Sequence, residues 1–275
     1  MLRIHLKHRL QIPLKDFQTV HGQRMFRDIA QNGDLSHKRL MRIRAFLSGA
    51  FRYAISEGFI NHLNPMTNVK VKGRARTGFI PQAYSLDEIF AMFKILVKTE
   101  FFIVATAAFT GLRLSELRGL RWGDHRDGKL FVHRSVVGTN VAGTKTEESE
   151  APVPLVPILD EVLTTYRSRR TKFFSDKDYI FAGERRGAPL NMHNLANRSI
   201  KDKFKAAGIP WKGWHAFRRG LSTNLAALGV PPKIASSILR HGSITTTLAF
   251  YTVTNEAESK AALQQIQDAT WGKFK

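Results

Sequence analysis

Six residues in the stretch WKGWHAFRRGLSTNLAALGVPPKIASSILRHGSITTTLAFY, which runs from Trp211 to Tyr251, could do chemistry together: His215, Arg218, Arg219, Arg240, His241 and Tyr251. Guanidiniums offer planar, permanently charged donors that match phosphate oxygens. Imidazoles donate hydrogen bonds or move protons near neutral pH. A phenol is a weak nucleophile because its reference pKa is about 10, but clustered cations favour the phenolate and stabilise charge developing on phosphorus. The set therefore suits gripping a phosphate and attacking it. His215-x-x-Arg218 puts two such groups on one helical face, although a histidine between Trp214 and Phe217 also fits a half-buried structural role. The segment around Gly229-Val230 also reads as a helix-turn-helix, which would leave Arg218, His215 and Tyr251 without a shared purpose. Upstream, TGLRLSELRGLRW sets Arg113 just after a glycine turn with Glu116 one helical turn later. There a carboxylate can hold a phosphate-reaching guanidinium in position, or the two can form a plain surface ion pair. No carboxylate cluster at ligand spacing accompanies the histidines, so no metal site is expected. The chain has no cysteine, which rules out disulfides and a thiol nucleophile and makes a cytoplasmic location the default.

The elements that must position these residues fall into two groups. The 275 residues suit a small and a medium domain. Lys and Arg number 43 against 22 Asp and Glu, a net charge of +21 with pI near 10.6; a surplus of this size points to a polyanion, with nucleic acid leading. No apolar run of about eighteen residues exists to span a membrane, and MLRIHLKHRL is too broken by charge to be a signal peptide. Residues 1–80 hold 15 of the basic and 4 of the acidic side chains, a net +11, while the remaining 195 carry a net +10. The first third is expected to form a helix from Ser36 to Glu57, with Leu40, Ile43, Leu47, Ala50, Phe51, Ala54 and Ile55 facing inward. Its other side carries Lys38, Arg42 and Arg52 with Ala45 and Gly49 between them, a stripe that either meets a phosphate backbone or is simply solvated. The Pro- and Gly-containing run from 64 to 85, with Lys70, Lys72, Arg74 and Arg76, reads as a linker with affinity for a backbone. Ser85 and Glu88 form a capping box that opens a new domain. Helices are expected at 101–109, 114–120, 158–169, 191–206, 215–228, 232–241 and 255–269. Strands at 129–137 and 151–156 are expected to flank a hairpin loop that carries Lys145. The fold class is mainly α with a small antiparallel β-sheet, in two domains.

TGLRLSEL, HAFRR and LRHGSITTTLAFY, in this order and at these separations, resemble the motifs of the tyrosine recombinase, or phage-type integrase, family. The resemblance covers nearly the whole chain. It implies that Tyr251 attacks the scissile phosphodiester to give a 3′-phosphotyrosyl link and a free 5′-hydroxyl. It further implies that Arg113 and Arg218 clamp the non-bridging oxygens, that His241 donates a hydrogen bond, and that His215 positions or deprotonates the nucleophile. Lys145 would protonate the leaving oxygen and Glu116 would brace the Arg113 region. Arg219 stands where the family often has His or Lys, and Arg240 where Gly usually precedes the histidine; both are expected to add positive charge toward DNA, alongside Lys38, Arg42, Arg52, Lys70, Lys72, Arg74 and Arg76.

The implied architecture is a helical core-DNA-binding domain at 1–75, a linker at 76–84 and a catalytic domain at 85–275. The first of these lacks the family's usual first helix, so the chain is expected to be N-terminally truncated. The resemblance implies no metal or other cofactor. Expected partners are double-stranded DNA, further copies of the chain as a tetramer on paired sites, and a DNA-bending accessory protein, with no membrane and a nucleoid-associated location in the cytoplasm. The tail near 255–271, with Leu263 and Ile266 on one face, is expected to pack on a neighbouring subunit. The alternatives are a type IB topoisomerase-like relaxing activity and a non-catalytic DNA-binding protein, either a helix-turn-helix regulator or an inactive integrase fragment.

Overall fold

The computed structural model describes residues 11–32, 35–72, 81–143, 150–169, 175–185 and 187–251, and the chain divides into two compact units, Met1–Ile80 and Pro81–Lys275. In the first unit a 3-10 turn at Leu14–Asp16 leads into α1 (Thr19–Asn32) and α2 (His37–Ser56). The inward face of α2 buries Leu40, Ile43, Leu47, Phe51 and Ala54, as its helical spacing predicts. Ala50 is exposed instead, because it lies at the edge of the apolar stripe. The α1 helix was not foreseen, yet its Met25, Phe26 and Ile29 supply the facing half of the core. Lys38, Arg42 and Arg52 are exposed on the far side of α2.

The run from 64 to 72 is core rather than linker. Met66 and Val69 are buried, and side chains from the helices take up the backbone around them. Arg44 donates from Nε to Met66 O (3.1 Å) and from Nη2 to Thr67 O (2.6 Å), and Gln23 exchanges two hydrogen bonds with the backbone of Lys70; within the run, Asn64 Oδ1 accepts from the Met66 N–H (2.9 Å) while its Nδ2 donates to Ser48 O of α2 (2.9 Å). A stretch without helix or strand can pack in this way once its peptide groups are satisfied.

In the second unit Tyr84, also expected in the linker, is fully buried, with its ring 4.5 Å from that of Phe217. The Ser85–Glu88 capping box forms at the start of α3 (Leu86–Ile95), with both of its hydrogen bonds present. Next, α4 (Lys98–Thr110) runs through the middle of the unit and is apolar on nearly every side. It ends at Gly111, whose φ of 60° is the left-handed cap that glycine adopts without strain. The short α5 (Leu114–Gly119) follows.

The β structure meets expectation only in part: the expected pairing of 129–137 with 151–156 forms at Lys129–Leu130 against Val153–Pro154 and not beyond. β1 (His125–Arg126), β2 (Lys129–Leu130) and β5 (Val153–Pro154) form one antiparallel sheet in the order β1-β2-β5, whereas β3 (Arg134–Val137) pairs with β4 (Asn140–Gly143) in a separate hairpin. The turn at Gly138, with φ 61°, reverses the chain before it can reach 151–156. Arg118 fastens that hairpin by donating to Val136 O (3.0 Å) and Gly138 O (3.1 Å). Lys145 lies outside the described residues.

The remaining elements are helical: α6 (Pro157–Ser168), then α7 (Met192–Leu195), a π segment (Ala196–Ile200) and α8 (Lys201–Ala206) in one run, followed by α9 (His215–Ala227), α10 (Pro232–Leu239) and α11 (Ile244–Tyr251). Ser199 and Lys203 both donate to the carboxylate of buried Glu100 on α4, which docks the π-containing run. The α11 helix was not foreseen, because its Thr245-Thr246-Thr247 run is β-branched and a weak local helix former. The expected 255–269 helix lies outside the described residues. None of the described helices is long and apolar enough to cross a membrane.

Candidate active site

Gly111, which ends α4, is the hinge of the site. A Cβ there would come within 2.8 Å of Leu239 Cδ2 and 3.0 Å of Leu221 Cδ2, so α9 and α10 close directly onto this turn. Two residues on, Arg113 takes the N-cap of α5 with extended backbone (φ −66°, ψ 148°). Glu116 accepts from the Arg113 backbone N–H at Oε2 (2.9 Å) and from Arg113 Nη1 at Oε1 (2.7 Å). The R-x-x-E pair is therefore not the exposed ion pair that the isolated motif suggests. The Arg113 side chain is 41% exposed but that of Glu116 only 4%, and Arg240 Nη2 donates to Glu116 Oε2 (2.7 Å) from the other side. Burial by itself would raise the Glu116 pKa; Arg240 and the two Arg113 hydrogen bonds outweigh it and hold the carboxyl below its ordinary value.

Arg218, on the first turn of α9, is buried and spans two helix ends. Its Nη1 donates to Gly111 O at 2.7 Å and its Nη2 to Leu239 O. Carbonyls at helix C-termini carry partial negative charge and lack intrahelical donors, so they make natural partners for a guanidinium. Burial, and after it the neighbouring Arg113, brings the Arg218 pKa down to about 10, which still leaves it charged at neutral pH. Arg219, the next residue, is held at the edge of the site, where its Nε donates to Gln82 O (2.6 Å).

His241 follows α10, and its Nδ1 shares a hydrogen bond of 2.7 Å with Oγ1 of buried Thr247 on α11. Burial first, then Arg218, Arg113 and His215, push its pKa down to about 4. His215 opens α9 at the exposed rim; partial burial and the charges of Arg219, Arg218 and Arg113 lower its pKa as well. Both imidazoles are therefore neutral near pH 7, each with one N–H donor and one acceptor nitrogen.

Arg113, His215, Arg218, Arg219 and His241, with Gly242 and Thr246, line one pocket of about 280 Å³. Several guanidiniums face this space while Glu116 is held beneath them, so the pocket favours an anion with hydrogen-bond acceptors on several sides. Among the described residues no group of three or more His, Asp or Glu could hold a metal ion.

The remaining predicted site residues are distributed as follows. Tyr251 is the last residue of α11; its side chain, like Lys145, Arg74, Arg76 and the 255–271 tail, lies outside the described residues. Lys70 and Lys72 are exposed on the first unit, as are the α2 stripe residues. Arg240 contradicts its expected role: its side chain is 2% exposed and engaged with Glu116, so it cannot meet DNA directly. Its left-handed backbone (φ 53°, ψ 51°) at the end of α10 turns it inward. The helix pair that suggested a helix-turn-helix exists as α9 and α10, but Arg218 is used between them. Thr247, which anchors His241, and the Gly111 and Leu239 carbonyls, which anchor Arg218, went unrecognised. The glycine turn before Arg113 was the one local signal for any of them.

Residues 87–258 match the profile of the phage integrase family. A XerC-like tyrosine recombinase of Caldanaerobacter subterraneus subsp. tengcongensis is 27% identical over 91% of this chain and 71% of that protein. The integrase of Escherichia phage lambda is 25% identical over 85% of this chain, which spans 63% of that protein's length. Among solved structures, the integrase of transposon Tn1549 in complex with transposon right-end DNA superposes with a TM-score of 0.74 at 22% identity, over 96% of this chain and 90% of that one. A lambda integrase dimer bound to a core site superposes with a TM-score of 0.62 at 21% identity, over 92% and 86%. The chain belongs to the phage integrase family, the tyrosine recombinases that break and rejoin DNA at specific sites.

Proposed function

We propose that the pocket of Arg113, Arg218, His215 and His241 is the scissile-phosphate site of a recombinase that cuts and rejoins duplex DNA through Tyr251. The observation that carries this reading is the convergence of two guanidiniums and two neutral imidazoles, from α5, α9 and the α10–α11 junction, on one anion-sized pocket. Tyr251 Oη gives up its proton to His215 and attacks phosphorus. The bond from phosphorus to the 5′ oxygen breaks, and that oxygen takes a proton from Lys145, leaving a 3′-phosphotyrosine and a free 5′-hydroxyl. Arg113, Arg218 and a His241 N–H stabilise the charge on the non-bridging oxygens in the transition state. Rejoining is the reverse step with a 5′-hydroxyl of the partner strand, so the number of phosphodiester bonds is conserved and no nucleotide hydrolysis is required.

The basic first unit, with Lys38, Arg42, Arg52, Lys70 and Lys72, binds the DNA backbone together with Arg74 and Arg76, and the chain then enters the catalytic unit, which begins at Pro81. Arg219, at the pocket wall, contacts a neighbouring phosphate. Strand exchange between paired sites calls for a tetramer of the chain, assisted by a DNA-bending protein, working on the nucleoid in the cytoplasm.

The test is incubation of the full chain with a pool of nicked duplexes that trap cleavage, followed by a search for a denaturant-resistant protein–DNA adduct. Wild type should form it and Tyr251→Phe should not. Absence of adduct from wild type, or equal adduct from the Phe variant, defeats the reading. Relaxation of supercoiled plasmids lacking any trapped sequence would instead mark a topoisomerase-like activity.

A further inference from the structure

Arg240 occupies a backbone position that disfavours it. It caps α10 with φ 53° and ψ 51°, the left-handed region where glycine rests freely and a long side chain is strained. The side chain is nevertheless buried and held: Nη2 lies 2.7 Å from Glu116 Oε2, a partner 124 positions away in the chain. The same carboxylate grips Arg113 twice, at Nη1 (2.7 Å) and at the backbone N–H (2.9 Å). Arg113 lines the pocket, and so does His241, which follows Arg240 directly and is bonded to Thr247 of α11. One buried carboxylate thus ties the α5 side of the pocket to the α10–α11 side.

We propose that Arg240 is a positioning residue: through Glu116 it sets the placement of Arg113 against His241 and the start of α11, without touching substrate. The proposal rests on the recombinase reading of the pocket. It separates from a purely stabilising role because of the backbone strain. If Arg240 served stability alone, glycine at this position would relieve the left-handed conformation and leave catalysis intact.

The experiment compares full-length wild type with Arg240→Gly, Arg240→Met, Arg240→Lys and Glu116→Gln. It measures the adduct rate at saturating nicked duplex, the DNA affinity and the urea midpoint. Displacements of about 1 Å at reacting groups can cost up to about 10²-fold, so the Gly and Met variants should lose roughly ten- to a hundredfold in rate at saturation. Their DNA affinity should stay within about twofold, because the contacts of Arg240 are internal, and Lys should restore part of the rate. In a double-mutant cycle, adding Glu116→Gln to Arg240→Gly should cost little more than either change alone.

A Gly variant that cleaves at the wild-type rate, or losses that simply multiply, overturns the inference. If the Gly and Met variants lose their cooperative transition, Glu116→Gln carries the test, and an unchanged rate there overturns it. A wild type that forms no adduct counts against the recombinase reading instead.

Discussion

Arg218 and Arg240 are both buried guanidiniums beneath the same pocket, and they are satisfied in opposite ways. Arg218 is held by two uncharged carbonyls, Gly111 O and Leu239 O, so its full positive charge remains available to a ligand. Arg240 is paired with the Glu116 carboxylate, so its charge is largely spent inside the protein. Carbonyl partners preserve a field that can act on a bound anion, while a carboxylate partner converts the same side chain into a fastener. The pocket draws its potential from Arg113 and Arg218 and its geometry from Arg240 and Glu116.

Four measurements would break or sharpen this contrast. The largest effect is expected from Arg218→Ala, which removes a charged donor from the proposed phosphate site and strands two buried carbonyls. Adduct formation should fall by about 10² to 10³, read in single-turnover cleavage; a loss under tenfold would mean that Arg218 is only scaffold. Glu116→Gln should come next, lowering stability at pH 7 by about 3 kcal/mol, since it leaves the buried Arg240 guanidinium without its counter-charge. Because the folded Glu116 pKa lies below its unfolded value, this stability is fully present above the ordinary carboxylate range and fades as pH falls through the lowered folded value. Urea titrations of wild type and variant should therefore converge toward acid pH.

His241 supplies a smaller, titratable test. Its folded pKa near 4 lies below the ordinary imidazole value near 6.5, so the unfolded chain binds more protons between those limits. Its contribution to stability is complete above about pH 6.5 and is lost as pH falls toward 4. Inorganic phosphate in the pocket should favour the imidazolium and move the His241 titration upward, which an NMR titration of the ring protons would detect. No movement on adding phosphate would remove the anion from this pocket. The smallest effect is expected far from the pocket: Lys38→Ala and Arg42→Ala, exposed on α2, should each reduce the salt slope of DNA binding by about 1 while leaving the cleavage rate at saturation unchanged.

Much of the fold was legible because its signals are local. The Ser85–Glu88 capping box and the Gly111 stop both need only a few neighbouring residues, and the inward face of α2 follows from helical spacing. The failures were also physical. Residues 64–72 carry linker-like composition, but Met66 and Val69 are buried because Arg44, Asn64 and Gln23 satisfy the surrounding backbone, a pairing that no local rule anticipates. The α11 helix is built on threonines that disfavour helix in isolation, and Thr247 is recruited there by His241. The expected strand at 129–137 is split into β2 (129–130) and β3 (134–137), and the turn at Gly138 pairs β3 with β4 instead of with 151–156.

By itself the sequence determined the inventory: a strongly basic chain, three motifs in a recognisable order, and a glycine turn that marks where Arg113 begins its element. Spacing also established that Arg218 and Arg219 leave α9 about 100° apart, as any adjacent helical pair must. Only the tertiary structure decided that Arg218 turns inward to the carbonyls while Arg219 reaches Gln82. It likewise decided that Arg240 belongs to the interior: the left-handed cap of α10 aims it at a carboxylate 124 positions earlier in the chain. The reason is that a guanidinium's role is set by what it is packed against, and that partner comes from a distant part of the chain.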